Sequence, residues 1–132
     1  MKTALFRSWR NNGTAGEIRL NAGQITVHVM PGSGRLTVAV AGRVTVDSSP
    51  DLRSALLELI RRRADSVTVI DLSAVSYLDM SGLAVLLEAL KAAHQHSVKL
   101  RVTGISGEAR TLVEIAQLDT IFRAWGSEVE FR

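Results

Sequence analysis

The chain has 132 residues, of which 46% are hydrophobic and 22% are charged, and it contains no cysteine. This composition indicates one globular domain, and the lack of cysteine excludes disulfides, cysteine-based zinc sites and thiol nucleophiles and fits a reducing cytosol. A net charge of +3 with only 5% aromatic residues argues against nucleic-acid binding, and the longest apolar runs are too short to span a bilayer.

The first 23 residues are predicted to form an N-terminal arm ahead of a domain that spans residues 24–132. Residues 1–15 show no hydrophobic periodicity, so we expect a mobile arm there. They start basic but lack the apolar stretch of a secretory signal. Alternating apolar and polar residues at 17–20 predict a short extra strand.

The next elements follow from hydrophobic periodicity. Residues 24–29 and 36–42 alternate as strands do, and the segment between them is rich in glycine and proline, which predicts a turn. Ser49 and Pro50 are typical of a helix start. The arginines at 61–63 suit the end of that helix, where cations complement the helix dipole. The nearly continuous apolar run at 67–72 predicts a central strand covered on both sides.

The second half repeats this alternation of strands and helices. We expect a second helix over residues 80–93, a strand over 98–102, a third helix over 107–118 and a short final strand near 129–131. This order predicts an α/β domain with a mixed, mostly parallel sheet of four or five strands and three helices packed against it.

The start of the second helix carries the most informative residues. Asp79, Ser81 and Gly82 follow the central strand directly. One interpretation is purely structural, with Asp79 as the N-cap and Ser81 as a first-turn residue. The other is chemical, because the positive end of a helix dipole tolerates a phosphate attached to a hydroxyl.

Catalysis is not supported by the remaining residues. His94 and His96 are two residues apart and share no helical face, and His28 alternates inside a strand. The chain has no Gly-x-Ser-x-Gly motif and no phosphate-loop spacing of glycines. We therefore expect a protein that is not an enzyme and that holds no cofactor and no metal.

The segment at residues 69–83, VIDLSAVSYLDMSGL, resembles the signature of STAS domains, the family of bacterial anti-sigma factor antagonists and sulfate-transporter tails. Residues 42–45, 49–53 and 112–122 also look like conserved family segments, so the resemblance covers residues 24–123. Three positions depart from the family pattern. Thr45 stands where many members have an acid, Met80 where many have a serine, and Gln117 where glycine is common.

The resemblance implies a function by partner switching. In antagonists of this family the hydroxyl before the motif glycine, here Ser81, is phosphorylated by an anti-sigma factor that is also a serine kinase. The unmodified antagonist binds that factor and frees the sigma factor, and the phosphorylated form lets go. Ser73 and Ser76 are weaker candidates as acceptors.

The resemblance also implies a cytoplasmic protein with an anti-sigma kinase and a phosphatase as partners. Because loops after parallel strands share one edge of a sheet, the partner-binding residues are expected beside Ser81, namely Asp79, Met80, Gly82, Thr45, Asp47 and Ser48. Two other functions stay open. One is a STAS subunit of a membrane complex that transports lipids, and the other is an adaptor in a larger STAS signalling assembly.

Overall fold

Strands alternate with helices along the part of the chain that the computed structural model describes, residues 16–20, 24–63 and 66–131. Within these residues the elements are β1 (Gly16–Leu20), β2 (Ile25–Gly32), β3 (Arg35–Val44), α1 (Ser49–Arg63), β4 (Val67–Leu78), α2 (Met80–Gln95), β5 (Lys99–Ile105), α3 (Gly107–Ile115), α4 (Leu118–Ala124) and β6 (Glu128–Phe131). The α/β class is confirmed. The described residues hold six strands, against the four or five predicted for the sheet, and four helices, against the three predicted.

The six described strands form one sheet in sequence order. Strands β1, β2 and β3 pair antiparallel, whereas β3, β4, β5 and β6 pair parallel. A parallel pair needs a crossover connection, which the helices supply. The sheet is therefore mixed and mostly parallel, as predicted, and β3 and β4 end side by side at Val44 and Leu78.

The buried side chains of the sheet lie on one face only. In β4, Thr68, Ile70 and Leu72 are buried, whereas Val67 and Val69 between them are half-buried. The prediction that this strand is covered on both sides was therefore wrong. Parallel crossovers are right-handed, and strands added in sequence order bring every crossover helix to the same face.

Helices α1 and α2 cover that face. Apolar residues of α1 that recur three and four positions apart are all buried, at Leu52, Ala55, Leu56, Leu59 and Ile60. The corresponding residues of α2 are buried at Leu83, Leu86 and Leu90 and partly buried at Leu87. These two helices and the buried side of the strands enclose the core.

The third predicted helix, over residues 107–118, is two helices in the structure. Helix α3 ends at Ile115, and Gln117 adopts a left-handed backbone conformation with φ of 56° before α4 begins. A left-handed residue breaks the ladder of helical hydrogen bonds, and hydrophobic spacing contains no signal for it. Ile115, the last residue of α3, is 76% exposed.

The short strand expected near residue 17 is β1, which pairs with β2 along its whole length. The arm predicted over residues 1–15 lies outside the described residues. The final strand is present as β6. Within the described ranges, no helix is long and apolar enough to cross a membrane.

Candidate functional site

Asp79 caps the N-terminus of α2. It follows β4 directly and has an extended backbone with φ of −105°. Its Oδ1 atom accepts hydrogen bonds from the backbone N–H groups of Ser81, at 2.9 Å, and of Gly82, at 3.4 Å. The N–H groups of a first helical turn have no carbonyl one turn earlier to accept them, and here the Gly82 N–H group is shared between the Asp79 carboxylate and the Asp79 backbone carbonyl, at 3.0 Å. The capping role expected for Asp79 is therefore present.

The same carboxylate oxygen accepts a hydrogen bond from the Ser81 hydroxyl, with 2.5 Å between the two oxygens. Burial works to raise the pKa of Asp79, but the hydrogen bonds from the Ser81 hydroxyl and from the N–H groups of Gly82 and Ser81 outweigh it and hold this pKa below its usual value. Asp79 therefore stays ionised at neutral pH. The hydroxyl oxygen of Ser81 lies beside a fixed negative charge and remains half-buried at the surface.

Gly82 lets α2 approach the end of the sheet closely. A Cβ atom at this position would lie 2.6 Å from Cγ of Leu78 and 3.0 Å from Cγ1 of Val44. Real Cβ contacts are longer than the first of these, so only glycine fits without a shift. The glycine thus serves packing beneath Ser81, a role independent of any chemistry at the hydroxyl.

The loop between β3 and α1, residues 45–48, lies next to this helix start. The N–H group of Asp79 donates to the carbonyl of Val44 at 3.3 Å, which joins the two chain segments at the carboxyl ends of β3 and β4. We call this edge of the sheet, with residues 43–48 and 77–82, the carboxyl rim. The rim is formed by parallel strands, as the sequence predicted.

Hydrogen bonds inside the loop fix its shape. Ser48 is buried, and its hydroxyl donates to the carbonyl of Arg43 at 2.8 Å and accepts from the N–H group of Thr45 at 2.9 Å. The Thr45 hydroxyl accepts from the N–H group of Asp47 at 3.2 Å. Among the residues expected to contact a partner, Ser48 therefore shapes the loop from inside, whereas Asp47 is exposed.

Apolar side chains also project from the carboxyl rim. Met80 is 63% exposed and Val46 is 69% exposed. The Arg43 guanidinium lies 4.6 Å from the ring centre of Tyr77, which is itself partly exposed. Val46 lies within the loop that was expected to face a partner, whereas Arg43 and Tyr77 were not among the predicted contact residues. These residues are neighbours because β3 pairs with β4, and no short sequence motif encodes that pairing.

A groove runs between α1 and α2 from Ser81. Its volume is about 360 Å³, and the residues that line it include Ser49, Arg53, Ser81 and Glu88. At its far end, Arg53 forms an ion pair with Glu88 at 3.4 Å. Arg53 lies on α1. The groove therefore connects Ser81, the candidate for phosphorylation, with a cationic side chain that is distant in the sequence.

The weaker acceptor candidates lie on β4. The Ser73 hydroxyl donates to Oδ1 of Asp71 at 2.6 Å, which repeats the Asp-x-Ser arrangement of Asp79 and Ser81 away from the helix start. The Ser76 hydroxyl donates to the carbonyl of Gly42 at 3.3 Å. Ser81 differs from both because it lies in the first turn of a long helix.

The described residues hold no cluster of three or more histidine or acidic side chains that could bind a metal ion. Two of the histidines have ordinary contacts instead. His94 lies against the Trp125 ring with centroids 4.9 Å apart, and His28 is 3.4 Å from Glu17.

Known proteins are similar to this chain in sequence and in fold. The family model described as "Mlab, STAS domain" matches residues 30–123. An anti-sigma-B factor antagonist of Listeria monocytogenes is 33% identical over 95 residues, which cover 72% of this chain and 82% of the relative. The protein of the same name from Staphylococcus aureus strain NCTC 8325 is 32% identical over 94 residues, covering 70% and 86%.

A solved structure agrees with these relatives. The crystal structure of an anti-sigma factor antagonist from Mycobacterium paratuberculosis superimposes with a TM-score of 0.67 at 27% identity, covering 78% of this chain and 86% of that one. The family match spans well over half of the chain, and it includes the whole of the carboxyl rim. The chain therefore belongs to the STAS domain family, and the relatives that it resembles are anti-sigma factor antagonists.

Proposed function

We propose that this protein is an anti-sigma factor antagonist of the bacterial cytoplasm that switches partners through Ser81. Unmodified, it binds an anti-sigma factor with serine kinase activity and so frees a sigma factor. Phosphorylation of Ser81 by that kinase releases the complex, and a phosphatase restores the binding form. The protein acts as a binding module without catalytic chemistry of its own. The names of its relatives support the class of function.

One observation carries the proposal: the Ser81 hydroxyl donates to the Asp79 carboxylate at the start of α2. Transfer of a phosphoryl group to the Ser81 hydroxyl oxygen replaces the hydroxyl proton, so this hydrogen-bond donor is lost. It also brings nearly two negative charges next to an ionised carboxylate. A partner that covers Ser81 would then have to bury both groups close together, which costs free energy.

The surroundings of Ser81 fit a contact surface for a protein. Met80 and Val46 present apolar side chains that are more than half exposed, and the Arg43 guanidinium stacks on Tyr77 nearby. Tyrosine and arginine are enriched among the residues that contribute most to binding, and methionine is enriched in protein interfaces. The phosphate would therefore arrive inside the surface that the partner has to cover.

The modification is compatible with the fold. Ser81 is in the first turn of α2, where the helix dipole favours negative charge. Asp79 supplies the cap through its own carboxylate, so the helix start does not depend on the Ser81 hydroxyl. We expect the switch to act through surface charge and not through unfolding.

The test is a pull-down from a lysate of the source organism with four proteins: wild type, S81A, S81D and S73D. The S73D variant is the matched control, because Ser73 also donates to an aspartate but lies on β4. We expect wild type, S81A and S73D to retain an ATP-binding anti-sigma factor. A loss of about 3–4 kcal/mol in S81D would weaken binding by a factor of about 100 to 1,000.

The captured factor is then purified and incubated with ATP and the wild-type protein. Mass spectrometry should find the transferred phosphate on Ser81. Retention of the same partner by S81D would contradict the proposal, as would the capture of transporter ATPase subunits or of other STAS chains in place of an anti-sigma factor.

A further inference from the structure

We propose that Arg53 is the internal ligand of the phosphate on Ser81, and that it exchanges Glu88 for the phosphate when Ser81 is modified. This inference rests on the proposed function, since it concerns the phosphorylated state of the same residue. The groove between α1 and α2 carries it. Arg53, Ser81 and Glu88 all line this groove.

The positions of these residues follow from helix geometry. Ser81 and Glu88 are seven residues apart, which is about two helical turns, so both lie on the face of α2 that borders the groove. Arg53 lies on α1, the helix that borders the groove on the other side. Its guanidinium is already drawn towards α2, where it is 3.4 Å from Glu88.

The ion pair between Arg53 and Glu88 is a weak competitor. The Arg53 side chain is 49% exposed and that of Glu88 is 39% exposed, and pairs of such exposure contribute little to stability because water screens them. Glu88 also has Lys91 nearby, at 3.9 Å. The release of Arg53 therefore leaves Glu88 with a second cation.

The phosphate is the stronger partner for a guanidinium. It carries close to two negative charges and three acceptor oxygens. The planar fork of an arginine can bind two of those oxygens at once. Glu88 lies two helical turns from Ser81, about 10 Å along α2, so the attraction between Arg53 and the phosphate drives the exchange.

The exchange would change both the groove between α1 and α2 and the carboxyl rim. In the unmodified protein Arg53 and Glu88 tie α1 to α2 at the far end of the groove. In the phosphorylated protein Arg53 moves towards the carboxyl rim and Glu88 loses its contact with α1. The phosphate is then held at the surface of the folded domain in one orientation, beside the residues that the partner covers.

The test measures the phosphate itself and needs no kinase or partner. Phosphoserine is installed at position 81 during translation in the full-length chain, and its second ionisation is followed by ³¹P NMR against pH. A nearby cation favours the dianion and lowers this pKa. We expect R53Q to raise the phosphate pKa by about 0.5 units relative to the otherwise unchanged phosphoprotein, a modest shift for an exposed site.

The matched control is R61Q, which removes the same charge from the same helix. Arg61 is eight residues further along α1, about 12 Å from Arg53, and pairs with Glu58. R61Q should leave the phosphate pKa within about 0.2 units of the parent value, because exposed charges are screened over such distances. Circular dichroism checks that both variants are folded.

E88Q provides the converse change, since it removes the competitor for Arg53 and should lower the phosphate pKa. Equal titration of R53Q, R61Q and the parent would overturn the inference, as would an E88Q curve that does not move. A failure of the pull-down with a positive NMR result would contradict the partner switch and leave the role of Arg53 standing.

Discussion

Ser81 is tied to Asp79 twice, because Oδ1 of Asp79 accepts both the backbone N–H group of Ser81, at 2.9 Å, and its hydroxyl, at 2.5 Å. The first bond caps α2 and the second orients the side chain. A single carboxylate oxygen therefore serves the stability of the helix and the position of the hydroxyl. Mutations at the two residues should separate these roles.

Asp79→Ala removes the cap of α2. We expect the free energy of unfolding at pH 7 to fall by about 1 kcal/mol, the usual effect of losing an N-cap side chain. Chemical denaturation followed by circular dichroism measures it. Ser81→Ala is the control, since it keeps the carboxylate and its bonds to the backbone N–H groups, and it should lose less than Asp79→Ala.

The loss of stability caused by Asp79→Ala should depend on pH. The pKa of Asp79 is lower in the folded protein than its ordinary value of 3.8, so the folded state favours the ionised form. This contribution to stability is fully present above the unfolded pKa, at about 3.9, and it is lost as the pH falls through the folded pKa. The difference between wild type and Asp79→Ala should shrink below about pH 4. A constant difference down to pH 2 would contradict this assignment.

Gly82→Ala should destabilise the protein although alanine is the better helix former. The added Cβ atom would lie 2.6 Å from the Leu78 side chain, and such overpacking costs about 1–3 kcal/mol, more than the gain of about 1 kcal/mol in helix propensity. Thermal and urea unfolding measure the outcome. Gly32→Ala is the matched control, because its nearest contact would be an ordinary 3.5 Å. An increase in stability for Gly82→Ala would show that α2 shifts without cost.

Gln117→Gly should stabilise the protein. Gln117 has φ of 56°, a conformation that is unfavourable for a side chain with a Cβ atom and free of that cost for glycine. We expect a gain of about 0.5–1 kcal/mol in the free energy of unfolding, after the added flexibility of the unfolded glycine chain is subtracted. Ala116→Gly is the control at a right-handed position with φ of −76°, and it should lower stability. A loss for both variants would contradict the prediction.

Val46→Ala and Met80→Ala should weaken partner binding without affecting the fold. Both side chains are exposed, so their truncation should change stability by less than about 0.5 kcal/mol. Each should weaken binding of the captured anti-sigma factor by about 5- to 30-fold if it lies in the centre of the contact. Isothermal titration calorimetry measures the affinity. Ile115→Ala is the control, since Ile115 is also an exposed apolar residue but is the last residue of α3, outside the carboxyl rim. Equal effects at all three positions would argue against a contact at the carboxyl rim.

Much of the candidate site could be predicted because it is local. Asp79, Ser81 and Gly82 lie within four residues, and a capping aspartate after a strand has few ways to arrange its hydrogen bonds. The resemblance then singled out the Ser81 hydroxyl as the proposed site of phosphorylation. In the same way, the spacing of apolar residues predicted both long helices, and their stripes are the buried ones.

Other features needed the folded chain. Arg53 and Glu88 are 35 residues apart, and they meet because α1 and α2 pack side by side on one face of the sheet. Arg43 reaches Tyr77 because β3 and β4 pair in the register that places these two residues together. Neither contact has a local signal, since it depends on how separate elements are joined.

The sequence by itself determined the strands, the two long helices, the cap of α2 and the family, because hydrophobic periodicity, helix capping and a short motif act over a few neighbouring residues. Only the tertiary structure decided that the helices share one face, that residues 107–118 break at Gln117, and that Arg53 borders the Ser81 groove. These outcomes depend on the order of the strands and on a single backbone angle, and packing across the whole domain selects both.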